Sequence, residues 1–200
     1  MIVWRLFYVV LFISVALLAY AVYTLASVRG SLDNIPTSFS FGPPDAGLHV
    51  VGFIDYDCGN CRAANTAMMT ALEKDGNVRY SPLVLSNGAQ SEYAMKLTYS
   101  ASLQKKYKDA YQYFMANSSD VGEKDITDIG LKIGIEEKVL TGGLKEPIME
   151  RLVEKTQQTF SDLGASAVPT FFIGPGIKYA PENTPSADDF LKLFSEARAE

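Results

Sequence analysis

The only two cysteines of this 200-residue chain, Cys58 and Cys61, lie three residues apart in the stretch FIDYDCGNC. Two thiols at this spacing can form a redox-active pair, supply half of a metal site, or close a small structural disulfide. These three chemistries need different surroundings. The composition of the chain and the elements around the cysteines therefore decide between them.

A metal site and a structural disulfide are the weaker interpretations. A structural zinc site takes four ligands, and this chain has two thiols and one histidine, His49, so it would need a carboxylate as its fourth ligand. A disulfide between Cys58 and Cys61 closes too short a loop to constrain much of an unfolded chain. The residues favour a redox pair, and we expect no metal.

The elements around the cysteines give the redox pair a mechanism. The mostly apolar run LHVVGFIDY, residues 48–56, predicts a buried strand. The run from Cys61 to Lys74 is spaced as a helix that ends near Gly76. Cys58 would then stand at the start of that helix, where free backbone N–H groups and the helix dipole stabilise a thiolate. Cys58 is the predicted nucleophile, and Cys61, on the inner side, is the predicted resolving thiol.

The rest of the chain predicts a second strand, a group of helices, a hairpin and a last helix. The short segment SFSF, residues 38–41, could add an edge strand before the first buried strand. The predicted strand is 78–85, the helical segments are 90–116, 123–133, 135–140 and 145–163, the hairpin is 171–179, and the last helix follows Ser186 as its N-cap.

Several stretches resemble one family. FIDYDCGNCR resembles the F-x-D-Y-x-C-x-x-C motif of DsbA-like thiol–disulfide oxidoreductases, and GPPDAGLHVVGF resembles the lead-in to their first core strand. SEYAMKLTYSASLQKKYKDAYQYFM resembles the helix that opens their inserted helical subdomain, and GASAVPTFFIG resembles their loop with a cis-proline. The match covers most of residues 42–199. It implies an α/β thioredoxin fold with a helical insertion at about residues 88–163.

The resemblance also implies site residues. Val168 and Pro169, joined by a cis bond, would face the cysteines and present backbone to a substrate chain. Gly59 and Asn60, between the cysteines, would tune the redox chemistry, and Asp55 is a further tuning candidate. Many relatives carry a buried acid six residues before the first cysteine, where this chain has Gly52.

The N-terminal segment predicts a membrane anchor. Residues 6–28 carry no charge, and as a helix they would be about 34 Å long, enough for a hydrocarbon core of about 30 Å. We expect an anchor in residues 1–28, a linker in 29–46 and the catalytic domain in 47–200. A cleaved secretory signal and a buried helix of the domain are the alternatives.

These observations lead to one functional hypothesis. The chain is expected to be a membrane-tethered thiol–disulfide oxidoreductase, in the bacterial periplasm or cell envelope, that forms disulfides in envelope or secreted proteins. The alternatives are an isomerase or reductase of the same fold, and a redox-inert peptide-binding or chaperone module. The expected partners are cysteine-containing clients, a membrane protein that recycles the pair, and the lipid bilayer through residues 6–28. With a net charge of −5, nucleic acid is not an expected partner, and no cofactor is expected.

Overall fold

The computed structural model describes residues 8, 11–20, 22–23, 30, 32, 34–86, 89–117, 125–136 and 147–199. The chain divides into two compact units, Met1–Asn34 and Ile35–Glu200. In the first unit, residues 11–20 are helical, and the large apolar side chains among them are exposed. No helix within the described residues has both the length and the apolar content needed to cross a bilayer. Much of the predicted anchor, including residues 1–7 and 24–28, lies outside the described residues.

The second unit is built on a four-stranded mixed sheet. Its strands are β1 (Leu48–Ile54), β2 (Val78–Val84), β3 (Thr170–Ile173) and β4 (Ile177–Tyr179), in the order β2-β1-β3-β4. β1 runs parallel to β2 and antiparallel to β3, and β3 and β4 form the predicted hairpin. β1 is almost wholly buried, as its apolar sequence requires for a central strand covered on both faces.

Six α-helices complete the described part of this unit. They are α1 (Gly59–Asp75), α2 (Ala89–Ala101), α3 (Tyr107–Ala116), α4 (Ile126–Lys132), α5 (Pro147–Asp162) and α6 (Ala187–Ala199). α1 connects the parallel strands β1 and β2, and α6 packs against α1. Helices α2 to α5 lie between β2 and β3 in the chain. This order confirms the predicted thioredoxin fold with an inserted helical subdomain.

Three local predictions differ from the structure. The helical pattern of 90–116 is interrupted by a 3-10 turn, Ser102–Gln104, and by Lys105, whose φ of 60° is left-handed. SFSF forms no edge strand: Thr37–Phe39 is a 3-10 turn, and Phe41 makes a single bridge to Tyr80. In the predicted segment 135–140, the described residues 135–136 are not helical, and 137–140 lie outside the described residues.

A tyrosine layer, formed by the buried rings of Tyr56, Tyr99, Tyr107 and Tyr111, joins the helical insertion to the sheet. These rings pack on one another. The Tyr107 hydroxyl donates to the carbonyl of Pro82 at 2.5 Å, and the Tyr99 hydroxyl bonds the backbone of Val84. These hydrogen bonds satisfy phenols that would otherwise be costly to bury.

Candidate active site

Cys58 caps the N-terminus of α1. Its backbone is extended, with φ −81° and ψ 111°, and its sulfur accepts a hydrogen bond from the backbone N–H of Cys61 at 3.2 Å. A cap residue normally supplies a side-chain oxygen to these N–H groups, and here a sulfur takes that place. The same N–H groups and the positive end of the helix dipole stabilise a negative charge on that sulfur. Cys58 is half-buried, so the sulfur is also within reach of another molecule.

Cys61 lies one turn further along α1 and is completely buried. Its sulfur accepts a hydrogen bond from the backbone N–H of Asp55 at 3.5 Å. Burial, followed by the hydrogen bond with Cys58, raises the pKa of the Cys61 thiol. Both cysteines are free thiols in this structure. The site therefore holds one accessible and one sheltered thiol, about one helical turn apart.

The loop before β3 faces Cys58. The Val168–Pro169 peptide bond is cis, and the Cys58 sulfur lies 3.8 Å from the carbonyl oxygen of Val168. The Thr170 hydroxyl donates to the carbonyl of Ala167 at 2.6 Å, which holds the two ends of this loop together. The structure thus brings Val168 and Pro169 to the cysteine pair.

The three predicted tuning residues occupy different environments. Asp55 is 2% exposed, and one of its carboxylate oxygens accepts a hydrogen bond from the backbone N–H of Asp57 at 2.9 Å. Asp55 thus shapes the turn between β1 and α1, and its charge also contributes to raising the pKa of Cys61. Gly59 and Asn60 are the first residues of α1 and are exposed to solvent.

Tyr80 occupies the space next to Gly52. A Cβ atom at Gly52 would lie 2.8 Å from the Tyr80 hydroxyl oxygen and 3.0 Å from the ring of Phe171. Sequence reasoning missed Tyr80, because its approach to Gly52 depends on the β1–β2 register, in which Tyr80 pairs with Val50. The one sequence feature that could have indicated a close neighbour here is Gly52 itself, because glycine has no side chain to keep that neighbour away.

His49 lies near the start of β1, whereas the cysteines follow the end of that strand. Its Nε2 is 2.8 Å from the hydroxyl of Ser81, and its Nδ1 is 2.9 Å from the guanidinium of Arg79. Burial and the Arg79 charge lower the His49 pKa to about 4, so the ring is neutral at pH 7. Within the described residues, no three His, Cys, Asp or Glu side chains are grouped so that they could hold a metal ion.

A family model described as Thioredoxin matches residues 34–193 of the sequence. The chain belongs to the thioredoxin family. A comparison with curated proteins finds no match. Solved structures of similar fold also match this chain.

The thioredoxin-like oxidoreductase of Silicibacter pomeroyi DSS-3 is 23% identical, with a TM-score of 0.77 over 86% of this chain and 98% of its own. The thiol-disulfide exchange protein alpha-DsbA2 of Wolbachia pipientis is 22% identical, with a TM-score of 0.74 over 89% of this chain and 96% of its own. A periplasmic thioredoxin-like protein of Salmonella enterica serovar Typhimurium is 18% identical, with a TM-score of 0.71 over 86% of this chain and 97% of its own.

At these identities the structural similarity establishes a shared fold. Together with the family match, it confirms the predicted resemblance to DsbA-like members of the thioredoxin superfamily. Membership of this family is also consistent with the predicted protein thiol–disulfide oxidoreductase activity.

Proposed function

We propose that this thioredoxin-family protein forms disulfides in envelope or secreted proteins by exchange through Cys58 and Cys61. One observation carries the proposal: the half-buried Cys58 sulfur caps α1, while Cys61, one turn away, is fully buried. Only Cys58 can meet a client thiol, and only Cys61 is placed to complete an internal disulfide with it. This division of roles is the one that thiol–disulfide exchange through a mixed disulfide requires.

The exchange proceeds in two displacements. A client thiolate attacks the Cys58 sulfur of the oxidised protein; a client–Cys58 bond forms, the Cys58–Cys61 bond breaks, and the electron pair leaves on Cys61. A second client thiolate then attacks the client sulfur of the mixed disulfide and releases Cys58 as a thiolate. The client loses two electrons and two protons, and the protein becomes the dithiol.

The cis-proline loop is the proposed docking edge for the client. The Val168 carbonyl lies beside the Cys58 sulfur, so a client segment that pairs with this loop would bring its own sulfur to Cys58. Backbone pairing at an exposed edge accepts many sequences, because the hydrogen bonds involve no side chain. Such tolerance suits a protein that acts on many clients.

The tether and the location belong to the same proposal. Residues 1–28 would anchor the protein in a membrane, residues 29–46 would act as a linker, and residues 47–200 would form the catalytic domain outside the cytoplasm. Support comes from the uncharged run of residues 6–28 and from the periplasmic neighbour of the same fold. A membrane redox partner would then reoxidise the dithiol.

The direction of exchange is tested with two standard substrates. The oxidised protein is mixed with a model peptide that carries two cysteines, and the reduced protein with insulin, each beside the Cys58→Ala variant. We expect fast oxidation of the peptide by the wild-type protein and none by the variant. Efficient insulin reduction with little peptide oxidation would instead indicate a reductase or isomerase. Equal behaviour of the two proteins in both assays would leave only a peptide-binding module.

A further inference from the structure

Arg62 contacts the backbone on both sides of Cys58. Its main-chain N–H donates to the carbonyl of Cys58 at 3.2 Å, which is the first hydrogen bond of helix α1. Its guanidinium Nη1 donates to the carbonyl of Tyr56, two residues before Cys58, at 2.6 Å. The segment from Tyr56 to Arg62 is therefore closed by a hydrogen bond between its two end residues, and the redox pair lies inside it.

Tyr56 is itself fixed in the core. It is completely buried, and its hydroxyl oxygen lies 2.7 Å from that of Thr98 in α2. Because the Thr98 hydroxyl donates to the carbonyl of Ala94 at 2.8 Å, the Thr98 oxygen is left to accept the Tyr56 proton. The Tyr56 ring also packs on Phe114 of α3. Arg62 thus joins the first turn of α1 to a residue that the helical insertion holds in place.

The turn that carries Cys58, residues 55–58, has two further hydrogen bonds. The Cys58 N–H donates to the carbonyl of Asp55 at 3.3 Å, and the Asp57 N–H donates to the Asp55 carboxylate at 2.9 Å. Both bonds lie within the turn, so they fix its shape rather than its position relative to α1. The Arg62 guanidinium adds a side-chain link between the turn and the helix.

The position of the Cys58 sulfur depends on this turn. The extended Cys58 backbone, with φ −81° and ψ 111°, places the sulfur where it accepts from the Cys61 N–H at 3.2 Å. A hydrogen bond to a charged acceptor is about twice as strong as one to a neutral acceptor. The contact is therefore strongest when Cys58 is a thiolate, and it contributes less in the Cys58–Cys61 disulfide, where the sulfur is uncharged. A turn held in this position stabilises the reduced protein more than the oxidised protein.

We propose that Arg62 is a positioning residue that holds the Cys58 sulfur at the N-terminus of α1 and so raises the reduction potential of the cysteine pair. The inference rests on the proposed function, because it concerns the redox equilibrium of Cys58 and Cys61. Arg62 itself exchanges no proton or electron. When two glutathione thiols reduce the Cys58–Cys61 bond, they become one glutathione disulfide, and the protein gains two electrons and two protons.

The equilibrium with glutathione measures the effect of Arg62. Full-length protein is equilibrated with buffers of different ratios of glutathione to glutathione disulfide and quenched in acid. Thiol alkylation and mass spectrometry then give the reduced fraction. Arg62→Met removes the donor and keeps an unbranched apolar stem. We expect its equilibrium to shift about fivefold toward the disulfide, a potential about 20 mV lower for this two-electron couple.

Arg198→Met is the matched control. Arg198 donates to the carbonyl of Asn77, near the opposite end of α1, so this variant loses an equal charge and a similar contact far from the cysteines. It should lose stability but keep the wild-type potential. Arg62→Lys keeps a charged donor and should recover most of the wild-type potential. Arg62→Gln, whose side-chain amide nitrogen is two bonds closer to the backbone than Nη1, repeats the test if Arg62→Met does not fold.

High salt separates positioning from a long-range effect of the Arg62 charge. At about 1 M salt, charges more than about 3 Å apart are largely screened in solvent, whereas a direct hydrogen bond persists. The difference in potential between wild type and Arg62→Met should therefore remain in potassium chloride at this concentration. A difference that disappears there would assign the effect to charge alone and overturn the positioning role.

The remaining outcomes separate this inference from the proposed function. An unchanged potential in Arg62→Met, no recovery in Arg62→Lys, or an equal shift in Arg198→Met would overturn the role of Arg62 and leave the redox pair intact. A wild-type protein that forms no Cys58–Cys61 disulfide at any glutathione ratio would overturn the redox pair itself, and the role of Arg62 with it.

Discussion

Asp75→Asn should destabilise the protein measurably, because Asp75 anchors the end of α1 opposite Cys58. The Arg198 guanidinium donates to both Asp75 carboxylate oxygens, at 2.7 and 2.8 Å, and also to the carbonyl of Asn77. The Asp75 side chain is 11% exposed and that of Arg198 35%, so water screens this pair less than an exposed one. The contact joins α1 to α6, the helix that packs along it.

The size of the effect follows from this geometry. A hydrogen bond to a charged group contributes about 1.5–3 kcal/mol, and asparagine would keep one weakened bond to Arg198. We therefore expect the free energy of unfolding to fall by about 1–2 kcal/mol. At about 2–4 °C per kcal/mol for a chain of this size, the melting temperature should fall by a few degrees. Urea unfolding followed by circular dichroism measures the free energy directly.

Asp188→Asn is the matched control, since Asp188 also joins α6 to α1. Its contact with Lys74 is 3.4 Å long, and the two side chains are 84% and 54% exposed. Its loss should cost less than about 0.5 kcal/mol. Equal losses in the two variants would refute the argument that geometry and burial set the strength of these pairs.

The same ion pair has a defined pH dependence. The Arg198 hydrogen bonds hold the pKa of Asp75 below its usual value. The folded protein therefore binds the Asp75 proton less readily than the unfolded chain does, and the stabilisation is complete above the unfolded pKa of about 3.9. It is lost as the pH falls through the lower pKa of the folded state. The stability difference between wild type and Asp75→Asn should accordingly vanish in strong acid.

Three shorter predictions concern other sites. Iodoacetamide should modify Cys58 of the reduced protein much faster than the buried Cys61, as peptide mass spectrometry would show; comparable rates would contradict the assigned exposures. His49 has a folded pKa of about 4, below its unfolded value of about 6.5, so stability should fall as the pH drops from 6.5 to 4. In His49→Gln, the free energy of unfolding measured with urea should fall less over the same pH range. Ser186→Ala should cost about 1 kcal/mol, because the Ser186 hydroxyl accepts from the Asp189 N–H; no loss would show that this cap is not stabilising.

Local patterns predicted much of the fold. The apolar run of β1, the helical spacing after Cys61 and the glycines between β3 and β4 each act over a few residues, and each element formed where expected. The Ser186 cap is confirmed for the same reason, since its hydrogen bond spans three residues. The thioredoxin fold itself was predicted from the resemblance of the cysteine and cis-proline stretches to DsbA-like proteins.

Contacts between distant segments could not be predicted in this way. The break at Lys105 interrupts a good helical pattern, and it allows both Tyr99 and Tyr107 to pack in the tyrosine layer. Phe41 lies in the predicted linker, and it forms an isolated bridge with Tyr80, which is far from it in the sequence. The placement of Tyr80 beside Gly52 depends on strand register and on Phe171. No local pattern reports such packing, so this part of the site emerged only from the structure.

A trapping experiment tests the division of roles in which Cys58 attacks and Cys61 resolves. Reduced Cys61→Ala protein is incubated with a peptide that contains one disulfide, and the products are mapped by mass spectrometry without reduction. We expect a stable one-to-one mixed disulfide at Cys58, and none with the reciprocal Cys58→Ala variant. A stable adduct at Cys61, or no adduct with either variant, would contradict it.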